Sequence, residues 1–242
     1  MTFFVALAIA TSMASIDFTD ISYLEDVNPR AFQAISSLRI LNILHNFDPI
    51  LVGTFPLKLE KPTSDLDVIC SAEDLNAFAH FVQESFSNAK DFTSEFGEIT
   101  KRKQIERKGE EEPGGPLESI ERAPYFCANF TSNGFPFEIF CQSLPTRRQN
   151  GFRHLVIEQR LLDIGGHPFF DKVKALLHSG VKTEPGFVRL LGLDNRRSGS
   201  DESHNNAKSQ SDDTVDPYEK LLELEEWSDE DLHTLITNAM QK

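Results

Sequence analysis

The chain of 242 residues has only three cysteines, three tyrosines and one tryptophan. Cys70, Cys127 and Cys141 are too few for a disulfide framework, and they lack the paired spacing of a zinc site. Each of them lies in an apolar, strand-like stretch. We therefore expect three reduced, buried thiols in a protein that works inside the cell.

Positive charge is also scarce, because 24 Lys and Arg stand against 38 Asp and Glu, which gives a net charge of −14. The sequence contains no sustained basic stripe, whereas neutralising the phosphates of DNA or RNA needs clustered Lys and Arg. Anionic membrane surfaces are disfavoured for the same reason. The composition therefore gives no strong nucleic-acid or membrane signal, and it predicts no oligomeric state.

A membrane-spanning hydrophobic run is absent as well. The apolar residues 3–10 are too few to cross a bilayer, and no Lys or Arg precedes Arg30, so the basic region of a signal peptide is missing. We expect residues 1–15 to be an N-terminal extension and the protein to be cytoplasmic. The alternative is secretion, with residues 1–12 as the signal.

The apolar residues that are present predict an α+β fold with a phenylalanine-rich core, since the chain has 20 Phe. A small mixed sheet is expected in the first 145 residues, followed by a helical second half. The predicted elements are a helix over 29–46, strands over 49–52 and 66–70, a helix over 73–89, a hairpin of 122–132 and 135–142 around Asn133-Gly134, and helices over 150–164, 168–179, 184–193, 216–226 and 229–241.

Composition also predicts how the chain is divided. Residues 16–145 would form the sheet domain, interrupted by a flexible insertion over 101–120 that changes from basic to acidic and ends in a Pro-Gly-Gly-Pro break. A helical part over 146–193 follows. The polar residues 194–215 predict a disordered linker before the acidic C-terminal helices over 216–242.

Two carboxylates mark the candidate site. Asp65 and Asp67 begin an apolar strand, and because strand side chains alternate, both project to the same side. Carboxylates held so close repel each other unless a cation lies between them, and Mg²⁺ is a natural partner. Upstream, Gly53 allows close approach of a phosphate to the backbone, and Thr54 adds a hydroxyl donor.

A third acid, Glu138, lies inside the apolar strand FPFEIF, where a carboxylate without a partner is costly. If that strand lies beside the strand of Asp65 and Asp67, the three acids would form a cluster able to hold one or two metal ions. The alternatives are that the Asp-x-Asp pair caps a turn and that Glu138 forms a salt bridge on an edge strand.

The order of these residues resembles the nucleotidyltransferase superfamily, whose pattern is an apolar strand ending in Gly-Ser or Gly-Thr, a spacer, Asp-x-Asp and a later single acid. The ten residues between Thr54 and Asp65 match the usual spacer. More narrowly, the chain resembles the divergent branch called domain of unknown function 4269. That likeness covers nearly all of residues 16–226 apart from the two predicted insertions, and it rests on FDPILVGTFPL, SDLDVIC, FEIFCQ, QNGFRH and KTEPGF.

The resemblance implies a nucleotidyltransferase-like sheet flanked by helices, and transfer of a nucleoside monophosphate from a nucleoside triphosphate to a hydroxyl of an unknown small molecule or protein. It implies that Gly53, Thr54 and Ser64 contact the phosphates. Asp65 and Asp67 would bind Mg²⁺, with two ions expected. Glu138 would share a metal or assist deprotonation of the attacking hydroxyl.

The spacer departs from the superfamily pattern, in which a short helix rich in small and basic residues follows the glycine. Here the spacer reads FPLKLEKPTS, and its prolines, Pro56 and Pro62, predict that no such helix forms. Its only cations are Lys58 and Lys61.

Further polar residues after the third strand are candidates for substrate binding: Gln142, Arg148, Asn150, Arg153, His154 and Lys182. The two arginines can pair with phosphate, and the histidine can act as base or donor. Alternatively, His154 pairs with Glu158 on a helix face, and Lys182 only enters a helix capped by Thr183.

Two other functions remain open on the sequence. One keeps the fold and is a catalytically inactive binding or regulatory module. The other is a metal-dependent phosphohydrolase that uses the same three acids.

Overall fold

A computed structural model describes residues 20–105, 117–194 and 216–241, with the backbone alone at 101–105 and 117–121. These residues form two compact units. The sheet unit comprises 20–53, 64–105 and 117–152, and the helical unit comprises 54–63, 153–194 and 216–241. The predicted N-terminal extension, and the predicted linker after residue 194, lie outside the described residues.

The sheet unit is built on a five-stranded sheet in the order β1-β2-β5-β4-β3. Its strands β2 and β5 are parallel, whereas the other neighbours are antiparallel, so the predicted small mixed sheet is confirmed. The strands are β1 (Ile50–Val52), β2 (Leu66–Ser71), β3 (Lys90–Ile105), β4 (Leu117–Ser132) and β5 (Phe135–Gln142).

The predicted hairpin around Asn133-Gly134 is also confirmed. Both residues have positive φ, 51° and 80°, which suits a tight two-residue turn, and Ser132 pairs with Phe135 directly across it. This turn fixes the register of β4 on β5 and places Asn129 opposite Glu138.

The strands β3 and β4 extend into the predicted insertion. Residues 101–105 lie in β3 and residues 117–120 lie in β4, so both ends of the predicted insertion continue the strands of this hairpin. Residues 106–116 lie outside the described residues. Strand β3 was not predicted, because an edge strand with neither face buried has no hydrophobic alternation, and none of residues 90–100 is buried.

Four helices belong to the sheet unit: α1 (Tyr23–Val27), α2 (Pro29–Leu38), α3 (Ile40–Ile43) and α4 (Leu75–Phe86). The single helix predicted over 29–46 is interrupted at Arg39, whose φ of 54° is left-handed and ends α2. Asp74 begins α4 as its N-cap and accepts hydrogen bonds from the backbone N–H groups of Asn76 and Ala77.

Phenylalanine fills the core on one face of the sheet, as the composition predicted. Phe130 of β4 stacks on Phe137 of β5 with ring centroids 5.3 Å apart, and Phe86 of α4 stacks on Phe130 at 5.2 Å. Along β5, Phe137 and Ile139 are buried, whereas Glu138 between them is only partly buried and projects to the opposite face. The candidate acids therefore lie on the face opposite to the phenylalanine core.

The helical unit confirms the helical second half. The helix α5 (Asn150–His178) starts in the last residues of the sheet unit, and non-helical backbone at Gly166, with φ of 62°, breaks it ahead of Pro168. This break matches the two helices predicted over 150–164 and 168–179. The unit also contains α6 (Thr183–Leu190), α7 (Pro217–Leu222), a 3₁₀ turn (Glu223–Glu226) and α8 (Asp229–Met240).

Residues 54–63 pack with the helical unit although they separate two strands in the sequence. Phe55, Leu57 and Leu59 are buried, and the Lys174 ammonium donates to the Lys58 carbonyl at 2.9 Å. Residues 55–64 contain turns and no helix, as the two prolines predicted. In the described part of the chain, no helix combines the length and the apolar character needed to cross a membrane.

Candidate functional site

Two of the three predicted acids lie on neighbouring parallel strands, and the third directly precedes one of these strands. Asp67 of β2 is the register partner of Glu138 of β5, so their side chains project to the same face of the sheet. Asp65 lies two residues before Asp67, directly ahead of β2, and is exposed. The sheet therefore brings together carboxylates that are more than 70 residues apart in the sequence.

Gly53 lies against the carboxylate of Asp67. Its φ is 77°, and a Cβ atom at this position would lie 2.2 Å from Oδ2 of Asp67. Two features therefore require glycine at this position: the left-handed backbone, and the lack of space for a Cβ atom. The turn predicted to approach a phosphate closely is in contact with one of the candidate metal ligands.

Electrostatics distinguishes Glu138 from an ordinary surface carboxylate. Burial raises its pKa, the negative charge of Asp65 raises it further, and a hydrogen bond from the Cys127 thiol opposes both effects. The negative charge of Asp65 therefore acts on the third acid. A cation bound here would relieve that repulsion.

Sequence reasoning missed the residues that surround Glu138 on its other side. The Cys127 thiol is buried and donates to Glu138, and Asn129 Nδ2 donates to Cys127 Sγ at 3.5 Å. Burial and the nearby Glu138 charge raise the pKa of Cys127 to about 12, so this thiol stays protonated and acts as a donor. Counting back from the Asn133-Gly134 turn would have placed both residues beside Glu138.

The other cysteines agree with the prediction of buried thiols. Cys70 and Cys141 are free and buried, as is Cys127. Cys70 and Cys141 are register partners on the core side of β2 and β5, away from the carboxylates.

The chemistry of the three acids fits Mg²⁺, which takes oxygen ligands. Within residues 20–105, 117–194 and 216–241, no group of three or more His, Cys, Asp or Glu side chains has the geometry of a metal site. Mg²⁺ is usually held by one or two carboxylates together with substrate phosphates and waters, so it does not need a site closed by protein ligands alone. Asp67 and Glu138, with Asp65 beside them, supply such a partial set.

Other predicted residues of the sheet unit lie near the ends of the same strands. Ser64 is buried just before Asp65, and Gln142 is buried at the end of β5, opposite Ser71 of β2. Arg148 is exposed in a short 3₁₀ turn, and Asn150 begins α5. Ser64 lies beside the aspartates because it directly precedes Asp65 in the sequence, whereas Arg148 faces solvent.

Gln149, which the sequence analysis did not single out, ties this region together. Its side chain is 1% exposed, and Nε2 donates to the carbonyl of Cys70 at 2.7 Å and to that of Leu144 at 2.8 Å. It therefore anchors the segment after β5 to the end of β2. No feature of the sequence separates this amide from a surface glutamine.

The remaining predicted residues, Thr54, Arg153, His154 and Lys182, belong to the helical unit. Arg153 forms an ion pair with Glu225. Nε2 of His154 lies 3.0 Å from the Tyr218 carbonyl, and its Nδ1 lies 3.7 Å from a carboxylate oxygen of Glu184. These contacts hold α5 against α6 and α7, in place of the predicted pairing of His154 with Glu158.

Lys182 is exposed and is itself the N-cap residue of α6, which begins at Thr183. The prediction that Thr183 caps this helix is therefore wrong. Lys182 forms no side-chain hydrogen bond to the start of the helix.

Glu158 of α5 is, after Glu138, a second carboxyl group with a raised pKa among the residues that the structure describes. It is buried, and its Oε1 has no hydrogen-bond partner among the described residues. Burial together with the Glu184 charge raises its pKa well above the usual range. Burial disfavours the charged form, so this carboxyl group holds its proton more tightly than an exposed glutamate does.

The comparisons with known proteins give a family and no function. A family model described as "Domain of unknown function (DUF4269)" matches residues 33–113 and 115–199, which is more than half of the chain. The chain therefore belongs to this family, as the motifs predicted. No curated protein and no solved structure matches it.

Proposed function

We propose that this member of the DUF4269 family is a nucleotidyltransferase that uses Mg²⁺ to transfer a nucleoside monophosphate to a hydroxyl group. The observation that carries the proposal is the pairing of Asp67 with Glu138 on one sheet face, with Asp65 close enough to raise the pKa of Glu138. A nucleoside triphosphate is the donor. A small molecule or a protein is the acceptor, since the acidic chain suits neither DNA nor RNA.

In the proposed reaction, the acceptor hydroxyl oxygen attacks the α-phosphorus of the triphosphate. The bond between that phosphorus and the bridging oxygen to the β-phosphate breaks, and pyrophosphate leaves. Mg²⁺ would be held by Asp65 and Asp67 and would neutralise charge on the phosphates. Glu138, whose pKa is raised, is suited to accept the proton of the attacking hydroxyl.

Gly53 supports the proposal by its contact with Asp67. No side chain would fit between the backbone of residue 53 and the Asp67 carboxylate. This carboxylate therefore lies against the chain at the end of β1. Ser64, directly before Asp65, supplies a hydroxyl near the same place. The spacer still departs from the superfamily pattern, because Lys58 and Lys61 are its only basic residues.

Calorimetric titration with each nucleoside triphosphate, with and without Mg²⁺, tests the proposal. We expect the parent protein to bind at least one triphosphate with Mg²⁺, and Asp65→Asn and Asp67→Asn to weaken that binding at least about tenfold. Asp26→Asn is the matched control, since it removes the same charge from exposed α1. Equal binding by all four proteins would contradict the proposal.

Product analysis separates transfer from hydrolysis. With triphosphate labelled in the γ position, transfer releases labelled pyrophosphate, whereas a phosphohydrolase that removes the terminal group releases labelled phosphate. Binding without either product would identify the inactive binding module in place of an enzyme.

A further inference from the structure

A buried thiol lies on the side of Glu138 that faces away from the aspartates. Asp67 of β2 and Asn129 of β4 are the register partners of Glu138 on the two sides of β5. Side chains alternate along a strand, so Cys127, two residues before Asn129, projects to the same face of the sheet. The face that carries the acids therefore also carries this thiol, which is buried.

Cys127 and Asp65 lie in opposite directions from Glu138. Cys127 pairs with Phe140, which follows Glu138 along β5, so the thiol is a diagonal neighbour of the carboxylate from β4. Asp65 directly precedes β2, on the other side of β5, and lies before the level of Glu138. The thiol therefore approaches Glu138 from β4, and the aspartate approaches it from β2.

The hydrogen bonds of Cys127 determine where its single proton points. Asn129 Nδ2 donates to Cys127 Sγ at 3.5 Å, so the sulfur is the acceptor in that contact. The thiol in turn donates to Glu138, whose ionised carboxylate can only accept. The amide, the thiol and the carboxylate thus form a chain of two hydrogen bonds that runs across β4 and β5.

This chain occupies only part of the carboxylate. Glu138 has two oxygens, whereas the thiol has one proton to donate. With one oxygen held from the side of β4, the other oxygen is available on the side of β2, where Asp65 and Asp67 lie. A long side chain that makes such a bond loses rotamer freedom and is held in one orientation.

We propose that Cys127 is a positioning residue of the candidate site: its thiol, oriented by Asn129, holds one oxygen of Glu138 and leaves the other directed towards the aspartates, where Mg²⁺ is proposed to bind. This role rests on the proposed function, because Mg²⁺ is the ligand for which Glu138 is held. Substitution of a residue that orients a metal ligand typically changes metal affinity by about tenfold or more.

Infrared spectroscopy of the S–H stretch tests the contact itself. Few other protein groups absorb in this region, and a stronger hydrogen bond lowers the frequency of the band. The chain has three cysteines, so Cys127→Ser identifies the Cys127 band by its loss. We expect Glu138→Gln to shift this band to higher frequency, because a neutral amide oxygen is a weaker acceptor than a carboxylate.

Glu95→Gln is the matched control for this shift. Glu95 of β3 is exposed and is the register partner of Cys127, so the variant removes a neighbouring charge and leaves the acceptor Glu138 in place. Its Cys127 band should remain close to that of the parent. Equal bands in Glu138→Gln and the parent would overturn the inference.

The same band reports a cation beside Glu138. Mg²⁺ withdraws electron density from a carboxylate, so MgCl₂ should move the Cys127 band to higher frequency than NaCl of equal ionic strength does. Asp67→Asn should remove this difference. A band that moves in Glu138→Gln and ignores MgCl₂ would overturn the proposed metal site and keep the hydrogen bond, so the two failures are distinguishable.

Calorimetric titration separates positioning from the filling of space. With Mg²⁺ and a triphosphate that the parent binds, Cys127→Ala should weaken binding at least about tenfold, and Cys127→Ser, which keeps a donor, should restore most of the affinity. Cys141→Ala is the matched control, since it removes a buried thiol from the core side of β5 and should bind like the parent.

Melting temperatures show whether the two variants at Cys127 are equally folded. Equal binding by Cys127→Ala and Cys127→Ser, at equal melting temperatures, would overturn the positioning role and leave the proposed function in place. Where Cys127→Ala unfolds, the spectrum of Glu138→Gln still decides, because that protein keeps the native thiol.

Discussion

Gly53 is a residue whose identity is set by the geometry of the candidate site. Gly53→Ala would place a methyl group 2.2 Å from Oδ2 of Asp67 and force alanine into a φ of 77°. We expect a loss of about 2 kcal/mol or more in the free energy of unfolding. Urea denaturation measures this loss.

Gly180→Ala is the matched control for that substitution. Its φ of 101° is also unfavourable for alanine, but among the described residues, apart from its two chain neighbours, no atom lies within 4 Å of the new Cβ. The difference between the two variants isolates the contact with Asp67. Equal losses would show that Gly53 is required for its backbone alone.

Glu158 predicts a pH dependence of stability. Its pKa is raised in the folded protein, so the folded state binds the proton more tightly than the unfolded chain, and stability falls as pH rises above the unfolded pKa. Glu158→Gln removes the proton-binding group and keeps the shape. The stability of this variant relative to the parent should therefore increase from pH 5 towards pH 8, by up to about 1.4 kcal/mol per pH unit. Melting temperatures of both proteins across this pH range measure the trend.

The exposed Glu230→Gln on α8 is the control and should show no such trend. A stabilisation by Glu158→Gln that is the same at both ends of the pH range would contradict the prediction. His154 and Glu184 lie on the same part of the helical unit, and both remain unchanged in this comparison.

Among the elements, α8 has a clear N-cap signal in the sequence and the matching cap in the structure. Ser228, predicted as the N-cap, accepts a hydrogen bond from the backbone N–H of Asp231 at 3.1 Å. Ser228→Ala should destabilise the helix by about 1 kcal/mol, whereas Ser228→Thr should cost much less. Hydrogen exchange over residues 229–240 measures both, and equal protection in the two variants would contradict the role of the hydroxyl group.

The sequence predicts elements that bury one face and misses those that do not. The strand β5 was predicted with its correct bounds because Phe137, Ile139 and Cys141 alternate with less buried residues. Residues 90–100 of β3, the part whose side chains are described, include no buried residue. The left-handed Arg39 that divides the first predicted helix carries no glycine or proline signal. Tertiary contacts determine both the strand β3 and the break at Arg39, and such contacts cannot be read from a single sequence.

The candidate site follows the same rule. The Asp-x-Asp spacing and the apolar neighbours of Glu138 predicted a cluster of three acids. The structure pairs Asp67 with Glu138 on one sheet face, because strand alternation and parallel pairing are regular, and Asp65 directly precedes β2. Gln149 was not predictable, since its two carbonyl partners, Cys70 and Leu144, come from different segments. The roles proposed for Arg153 and His154 gave way to contacts with Glu225, Glu184 and Tyr218, which only the folded chain assembles.

For the whole molecule, the proposed metal site predicts a stability that depends on divalent cations. A ligand that binds the folded state alone raises the melting temperature by mass action. We therefore expect MgCl₂ to stabilise the parent more than NaCl of equal ionic strength does. Scanning calorimetry of the parent and of Asp67→Asn separates stabilisation by Mg²⁺ at the proposed site from the general effect of salt. The melting temperature of the variant should respond to the two salts alike.

Asp26→Asn again controls for the loss of one negative charge, which matters in a chain with a net charge of −14. If Asp67→Asn keeps the full preference for Mg²⁺, the cation acts elsewhere on the acidic surface.

Neither unit of this protein is a continuous stretch of the gene. The segment 54–63 separates β1 from β2, yet it belongs to the helical unit, whose other described residues begin at 153, and its Phe55, Leu57 and Leu59 are buried. During translation, the strand that carries Asp67 therefore leaves the ribosome long before the partners of the preceding segment exist. A fragment that stops at residue 152 should expose these three apolar side chains and bind chaperones or aggregate.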